Sequence, residues 1–275
     1  MPGIVAHPDV PGPLSSIDAE RSRNRTWATR TAIVAGVVLG LLFSILGLPI
    51  SIPAGIALGV VVAVAASIAI RKAGPAAAIR SIGAVPAAPG SLPRVETLLS
   101  GLSVTMGVAA PGISMLVDDI PNAAIVGKRG GATIVVTTGL LEHLSVVELE
   151  GVLAHLLAHE RLDAVERGTA GAGYALLLGG LGRRGGRAHR LTGEGRLYRA
   201  DEVAVLSVRY PPGLADALSE MERGPLPAPG SLFGSSVYDT LRWLFIDPSI
   251  TRRAATDEVG DVDATSVRRR ALLER

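Results

Sequence analysis

"VLAHLLAHERLD", Val152–Asp163, sets two histidines four residues apart in an otherwise apolar stretch. A helix turns once in about 3.6 residues, so His155 and His159 share a face and both imidazoles can reach one metal ion. In the His-Glu-x-x-His pattern of zinc sites, the glutamate after the first histidine is the general base. Here that position is Leu156. Glu160 follows His159 but points about 100° away from the pair, which makes it a poor base. Taken alone, a histidine pair among leucines is more often two side chains satisfied in a core, so the flanking chain has to decide.

Upstream, Ser145 and Glu148 form a capping box, which starts a long helix expected over Val146–Glu166. Before it, "ATIVVTT", Ala132–Thr138, is a β-branched strand entered through Gly130-Gly131, and Ile113–Val117 and Ile125–Gly127 read as short strands. Pro93–Met106 has helical spacing. Downstream, Gly168–Gly182, "GTAGAGYALLLGGLG", is apolar, yet as a helix it spans only about 22 Å against a bilayer core of about 30 Å. A re-entrant or interfacial hairpin, or a glycine-rich loop, is expected there rather than a third span. "GRRGGR", Gly182–Arg187, is a flexible basic loop suited to anionic lipid. Helices are expected over Leu191–Leu206 and within Pro212–Met221, with a proline-rich loop at Pro225–Ser231. "SVRRRALLER", Ser266–Arg275, is expected to be a solvated terminus, with a short amphipathic helix as the alternative.

Composition supplies the setting. The 275 residues are 48% hydrophobic and 19% charged, too apolar for an ordinary soluble domain. Not one charged side chain occurs from Thr31 to Ile70, and "GLPISIP", Gly47–Pro53, interrupts that run. A transmembrane hairpin is expected, with helices over Thr31–Leu48 and Ala54–Ile70. Arginines precede and follow it while the turn is uncharged, which puts both ends in the cytoplasm. A net charge of +2 gives no reason to expect a nucleic-acid partner, and the absence of cysteine removes disulfides and thiol chemistry. Only two lysines, Lys72 and Lys128, stand against many arginines, which hints at a bacterial source and so at the inner membrane. The expected organisation is a disordered cytoplasmic tail over 1–30, the hairpin over 31–70, a proline-alanine linker over 84–92, a domain over 93–250 and a tail over 251–275.

Four motifs stand together in order: "PNAAIVG" (Pro121–Gly127), "IVVTTGLLEHL" (Ile134–Leu144), "ELEGVLAHLLAHERLD" (Glu148–Asp163) and "YRAD" (Tyr198–Asp201). In order and separation they resemble the HtpX and CAAX prenyl protease-like family of membrane metallopeptidases, from about Leu92 to about Asp247. The resemblance implies an α+β fold: the hairpin followed by a cytoplasmic zincin-like (mini-gluzincin) domain, mostly helical with a small sheet. It implies that His155 and His159 match two zinc ligands, and that Ile134, Val135, Val136, Thr137 and Thr138 form an edge strand along which a peptide lies. Asn122 and Asp201 take supporting positions behind the site. The family's third ligand is a glutamate four residues before the aspartate that Asp201 matches, and this chain has Leu197 there.

Both the general base and the third ligand are therefore replaced by leucine, and neither leucine can move a proton or bind zinc. The expectation is a pseudopeptidase without a cofactor that binds a membrane partner. Two alternatives stand beside it. One is an active zinc endopeptidase whose third ligand is Glu194 or Asp201; the other is a lipid-contacting adaptor that uses the Gly168–Gly182 segment.

Overall fold

A computed structural model describes residues 17–47, 51–128, 130–177, 184–193 and 195–250, together with Arg269 and Leu273. The hairpin turn at 48–50, Arg129, Glu194 and most of the expected tails lie outside the described residues.

Two long helices open the chain, α1 at Ile17–Gly47 and α2 at Ile52–Ile82. The Ser51 hydroxyl accepts from Ala54 N at 3.2 Å, and Pro53 sits in the first turn, where its missing N–H costs nothing. Most of the large apolar side chains of their central parts are exposed, among them Val34, Leu41, Ile56 and Val61, as lipid-facing helices require. Both are long and apolar enough to cross a membrane, with only 22% and 11% of their most apolar windows buried, so they are not core helices of a soluble domain.

The helices extend further than the charge-free run indicates. Residues 17–30, expected as disordered tail, are helical, because they have a surface to pack on. Asn24 Nδ2 donates to Leu162 O at 3.0 Å, Arg25 Nε donates to Asp163 Oδ2 at 2.7 Å, and Ala28 is buried. At the other end α2 continues past Ile70 through Pro75 to Gly83, which ends it in a left-handed conformation (φ 71°). Nor is 84–92 simply a spacer, since Val85–Pro86 forms strand β1.

Helix α3 (Pro93–Met106) leads to β2 (Gly112–Leu116), β3 (Ala123–Lys128) and β4 (Gly131–Thr137). The sheet order is β1-β2-β4-β3, with β2 parallel to β4 and the other neighbours antiparallel. This corrects the expected edge strand. Ile134–Val136 of β4 pair with β2 on one side and β3 on the other, and Thr137 pairs with Leu116 of β2 while its N–H donates to Asn122 O, so no peptide can add to them; Thr138 opens a short helix α4 (Thr138–His143). The outer strands are β1 and, next to β4, β3, and the chain covers part of the free side of β3 itself. Ile246 N donates to Ala123 O at 2.9 Å, Ala124 bridges to Phe245, and Gly127 N donates to Thr169 Oγ1 at 3.0 Å.

Both sheet faces are buried. Ile134, Val136 and Ile125 join one core, while Val135, Ala124 and Val126 join a second built with Phe233, Tyr238 and Phe245. Such a strand reads as a continuous apolar run rather than an alternating one. Over the first face lie α5 (Val146–Arg161), α8 (Arg196–Val205) and α9 (Pro212–Arg223). Ser145 and Glu148 make the expected capping box on α5.

The Gly168–Gly182 segment also differs from expectation. Its described part belongs to helix α6 (Val165–Leu177), which packs on α2 and is largely buried, so it is not a glycine-rich loop there. At Gly173 the glycine is needed: a Cβ would stand 1.7 Å from Gly74 O. Two backbones meet at that point. The expected helix over Leu191–Leu206 is two helices, α7 (Arg184–Thr192) and α8, separated by Gly193 and Gly195, both with positive φ. A short helix α10 (Tyr238–Leu241) and two 3-10 turns complete the described fold.

Candidate functional site

His155 and His159 lie at the centre of α5, where every residue from Gly151 to His159 is buried. A helix that is apolar all round must be enclosed, and α3, α8, α9 and the sheet enclose this one. The rings meet edge to face, with centroids 5.0 Å apart.

One ring has a partner. His155 Nδ1 donates to Asp201 Oδ1 at 2.6 Å, since an ionised carboxylate can only accept. This fixes the proton on Nδ1 and leaves the Nε2 lone pair free of hydrogen bonds; neither nitrogen of His159 has a partner. Burial pushes the His155 pKa below 6.5 despite Asp201, and burial together with the positive charges of Arg196 and Arg269 holds His159 well below it. Both imidazoles are neutral near pH 7.

Asp201 is held from the far end of the chain. Burial alone would raise its pKa, but Arg269 Nε donates to Oδ2 at 2.5 Å and Nη2 to Oδ1 at 2.7 Å, which keeps it ionised below the usual range. Arg269 Nη1 also donates to Ile246 O at 2.5 Å, and its side chain is fully buried. At that residue the C-terminal tail is therefore not solvated, contrary to expectation.

Helix α8 makes the remaining ties. Leu197, at the matched third-ligand position, is buried against Ala175, Ala188 and Trp243. Arg199 is fully buried and reaches Glu20 of α1 at 3.0 Å and Glu202 at 2.5 Å. Arg196 lies over Gly168, where a Cβ would come within 3.0 Å of the guanidinium carbon, and its Nη1 donates to Trp243 O at 2.6 Å. Burial, then Arg167, pushes the Arg196 pKa down to about 10, so it still carries its charge at neutral pH.

Not every expected residue comes to the pair. Asn122 is fully buried, but its amide serves the sheet: Nδ2 donates to Asp247 O at 2.8 Å, and Oδ1 accepts from Ala123 N and Asp247 N. Leu156 is fully buried in the core beneath the sheet. Glu194 lies outside the described residues. His189 stacks on Trp243 with ring centres 4.1 Å apart.

The donor set does not fit a family zinc site. Two neutral imidazoles with unpartnered nitrogens suit a metal, and a carboxylate behind His155 is the usual support. Yet no group of three histidine, aspartate, glutamate or cysteine side chains gathers among the described residues. Asp201 is bound by Arg269, and two guanidinium groups act on the pair where a divalent cation would need negative charge.

A membrane-anchored, mostly helical domain with a small mixed sheet and a His-x-x-x-His pair on a buried helix defines a metallopeptidase-like protein. The comparisons agree. Residues 91–190 match Peptidase family M48, whose members are zinc-dependent, and the chain is similar to HtpX homologues. A protease HtpX homolog of Halobacterium salinarum is 36% identical over 108 residues, 39% of this chain and 37% of that protein. One of Dictyoglomus turgidum is 31% identical over 169 residues (49% and 56%), and one of Tropheryma whipplei 29% over 169 (49% and 58%). The chain thus spans between about a third and three fifths of the length of these curated relatives. No solved structure matches.

Proposed function

We propose that this protein is a membrane-anchored pseudopeptidase: it keeps the M48 scaffold, does not cleave peptides, and serves as a binding or regulatory subunit of a membrane assembly. The observation that carries this is the fate of two positions. Where the family's reaction needs carboxylates, Leu156 fills core and Leu197 packs on Trp243. Among the described residues no base lies near the pair to take the proton from an attacking water or pass it to a leaving amine. The arginines flanking the hairpin support a cytoplasmic domain, and the exposed apolar sides of α1 and α2 support lipid and a membrane protein as neighbours, with no role for nucleic acid or cofactor.

The unpartnered imidazole nitrogens favour the competing reading, an active zinc endopeptidase with a rearranged ligand set. Elemental mass spectrometry on full-length protein purified without a histidine tag, beside His155→Ala, separates the two. No zinc in either sample, and no chelator-sensitive cleavage of an unfolded membrane-protein substrate, is the expected result. Near-stoichiometric zinc lost on mutation, with cleavage that a chelator stops, would overturn the proposal.

A further inference from the structure

Among the described residues Arg196 is a buried cation without a counter-charge. It is only 7% exposed, its Nε and Nη2 have no hydrogen-bond partner there, and the one described group it reaches is a neutral carbonyl, Trp243 O. Other buried arginines here are compensated: Arg199 by Glu20 and Glu202, Arg269 by Asp201. An isolated guanidinium taken from water is costly unless paired.

Its surroundings are suited to negative charge. Arg196 is the first residue of α8, whose N-terminus at Gly195 has no side-chain cap, so that end of the helix adds partial positive charge and no compensating carboxylate. Asp201, further along α8, touches His155, and His159 lies one turn further along α5, where Arg196 is the charge acting most strongly on it. Both nitrogens of His159 are unpartnered, so its ring can present an N–H in either tautomer. Gly168 leaves room for the guanidinium plane.

We infer that Arg196, with His159 near it, binds a small monovalent anion, either a carboxylate such as formate or a halide. One negative charge matches a guanidinium that no described residue compensates, and its burial restricts the ligand to a few atoms. The centre that holds a cation in a zinc peptidase thus becomes, in this chain, a cation that holds an anion. The inference rests on the metal-free reading above, and zinc content tests that reading separately.

The test is thermal unfolding of the full-length, detergent-solubilised protein at pH 7.5. Sodium gluconate, too bulky for the site, is replaced stepwise by sodium formate or chloride at constant ionic strength. The midpoint should rise by a few degrees as the small anion replaces gluconate, since a ligand that binds only the folded state stabilises it. Arg196→Met should flatten the response and Arg196→Lys should keep part of it. A larger rise in formate than in chloride would identify the two-pronged carboxylate match; equal rises would identify a site that reads charge alone. A wild-type midpoint indifferent to the exchange, or an Arg196→Met protein with the wild-type response, would overturn the inference. Should Arg196→Met not fold, anomalous diffraction from wild-type crystals soaked in bromide decides: a peak at Arg196 supports the site, and bromide elsewhere with none at Arg196 rejects it.

Discussion

Arg269 and Asp201 meet across 68 residues of sequence in a two-pronged contact, Nε to Oδ2 at 2.5 Å and Nη2 to Oδ1 at 2.7 Å, and the same carboxylate holds His155. Arg269 of the C-terminal tail therefore reaches the centre of the domain. Through Arg199 the same helix holds Glu20 of α1, so α8 links the membrane helices, the histidine pair and the end of the chain.

Removing Arg269 leaves a buried carboxylate with, among the described residues, only one neutral imidazole as partner. Arg269→Ala should cost about 3–5 kcal/mol, the usual loss when one member of a buried ion pair is removed. Arg269→Lys should recover only part, because an ammonium cannot reproduce the fork. Chemical denaturation of the two variants, alone and combined with Asp201→Ala, measures the coupling. Strictly additive losses would show that the pair contributes no stability of its own.

The histidines predict how stability varies with pH. His155 and His159 have folded pKa values below 6.5, so below that pH the unfolded chain binds protons that the folded chain does not. Stability should fall as pH drops through 6.5, by about 1.4 kcal/mol per pH unit for each histidine, until the folded values are reached. The groups acting on His159 are Arg196 from α8, His155 from its own helix and Arg269 from the tail, all opposing its protonation once charged. Unfolding midpoints from pH 7.5 to pH 5 for wild type and His159→Asn test this, and the variant should have the shallower slope. A wild-type midpoint that does not move over that range would contradict the assignment of neutral imidazoles.

Much of this was legible in the sequence, for identifiable reasons. The capping box at Ser145 and Glu148 depends on residues three apart, and the hairpin on a long uncharged run, so both are local signals. What the sequence concealed is non-local. β4 lies between β2 and β3, and a strand buried on both faces has the same β-branched run whether it is central or at an edge. The glycines of α6 suggested a loop because composition cannot distinguish backbone freedom from close approach, and only the contact of Gly173 with Gly74 reveals the latter. Arg269 was concealed in a charged terminus, where one buried arginine looks like its solvated neighbours. The adjacent leucines of "SVRRRALLER" were the available hint, since a terminus that docks needs apolar residues.

Restoring the missing base should not restore cleavage. Leu156→Glu would place a carboxylate in the core that Leu156 now fills, at a cost of several kcal/mol or a strongly raised pKa, and Leu197 would still not bind metal. The variant should show a lower unfolding midpoint and no chelator-sensitive proteolysis, whereas Leu156→Met should lose less than about 1.5 kcal/mol. Robust cleavage by Leu156→Glu alone would mean that a functional metal centre is already in place.

The contact between α6 and α2 provides the last prediction, because it joins the membrane helices to the domain where the two backbones are closest. A Cβ on Gly173 would lie 1.7 Å from Gly74 O, and one on Gly74 would lie 2.3 Å from the Tyr174 ring. The first obstacle is backbone and cannot rotate away; the second is a side chain that can shift. Gly173→Ala should therefore be the more damaging change, costing at least the 1–3 kcal/mol typical of overpacking, although alanine is the better helix former by about 1 kcal/mol. Separation of the helices would also expose Tyr174, which now packs on Trp27 with ring centres 6.2 Å apart. Tryptophan fluorescence of Gly173→Ala should shift to the red as water reaches Trp27, while Gly74→Ala should stay near the wild-type spectrum. The reverse order of damage would show that α6 and α2 are held by their side chains rather than by backbone contact.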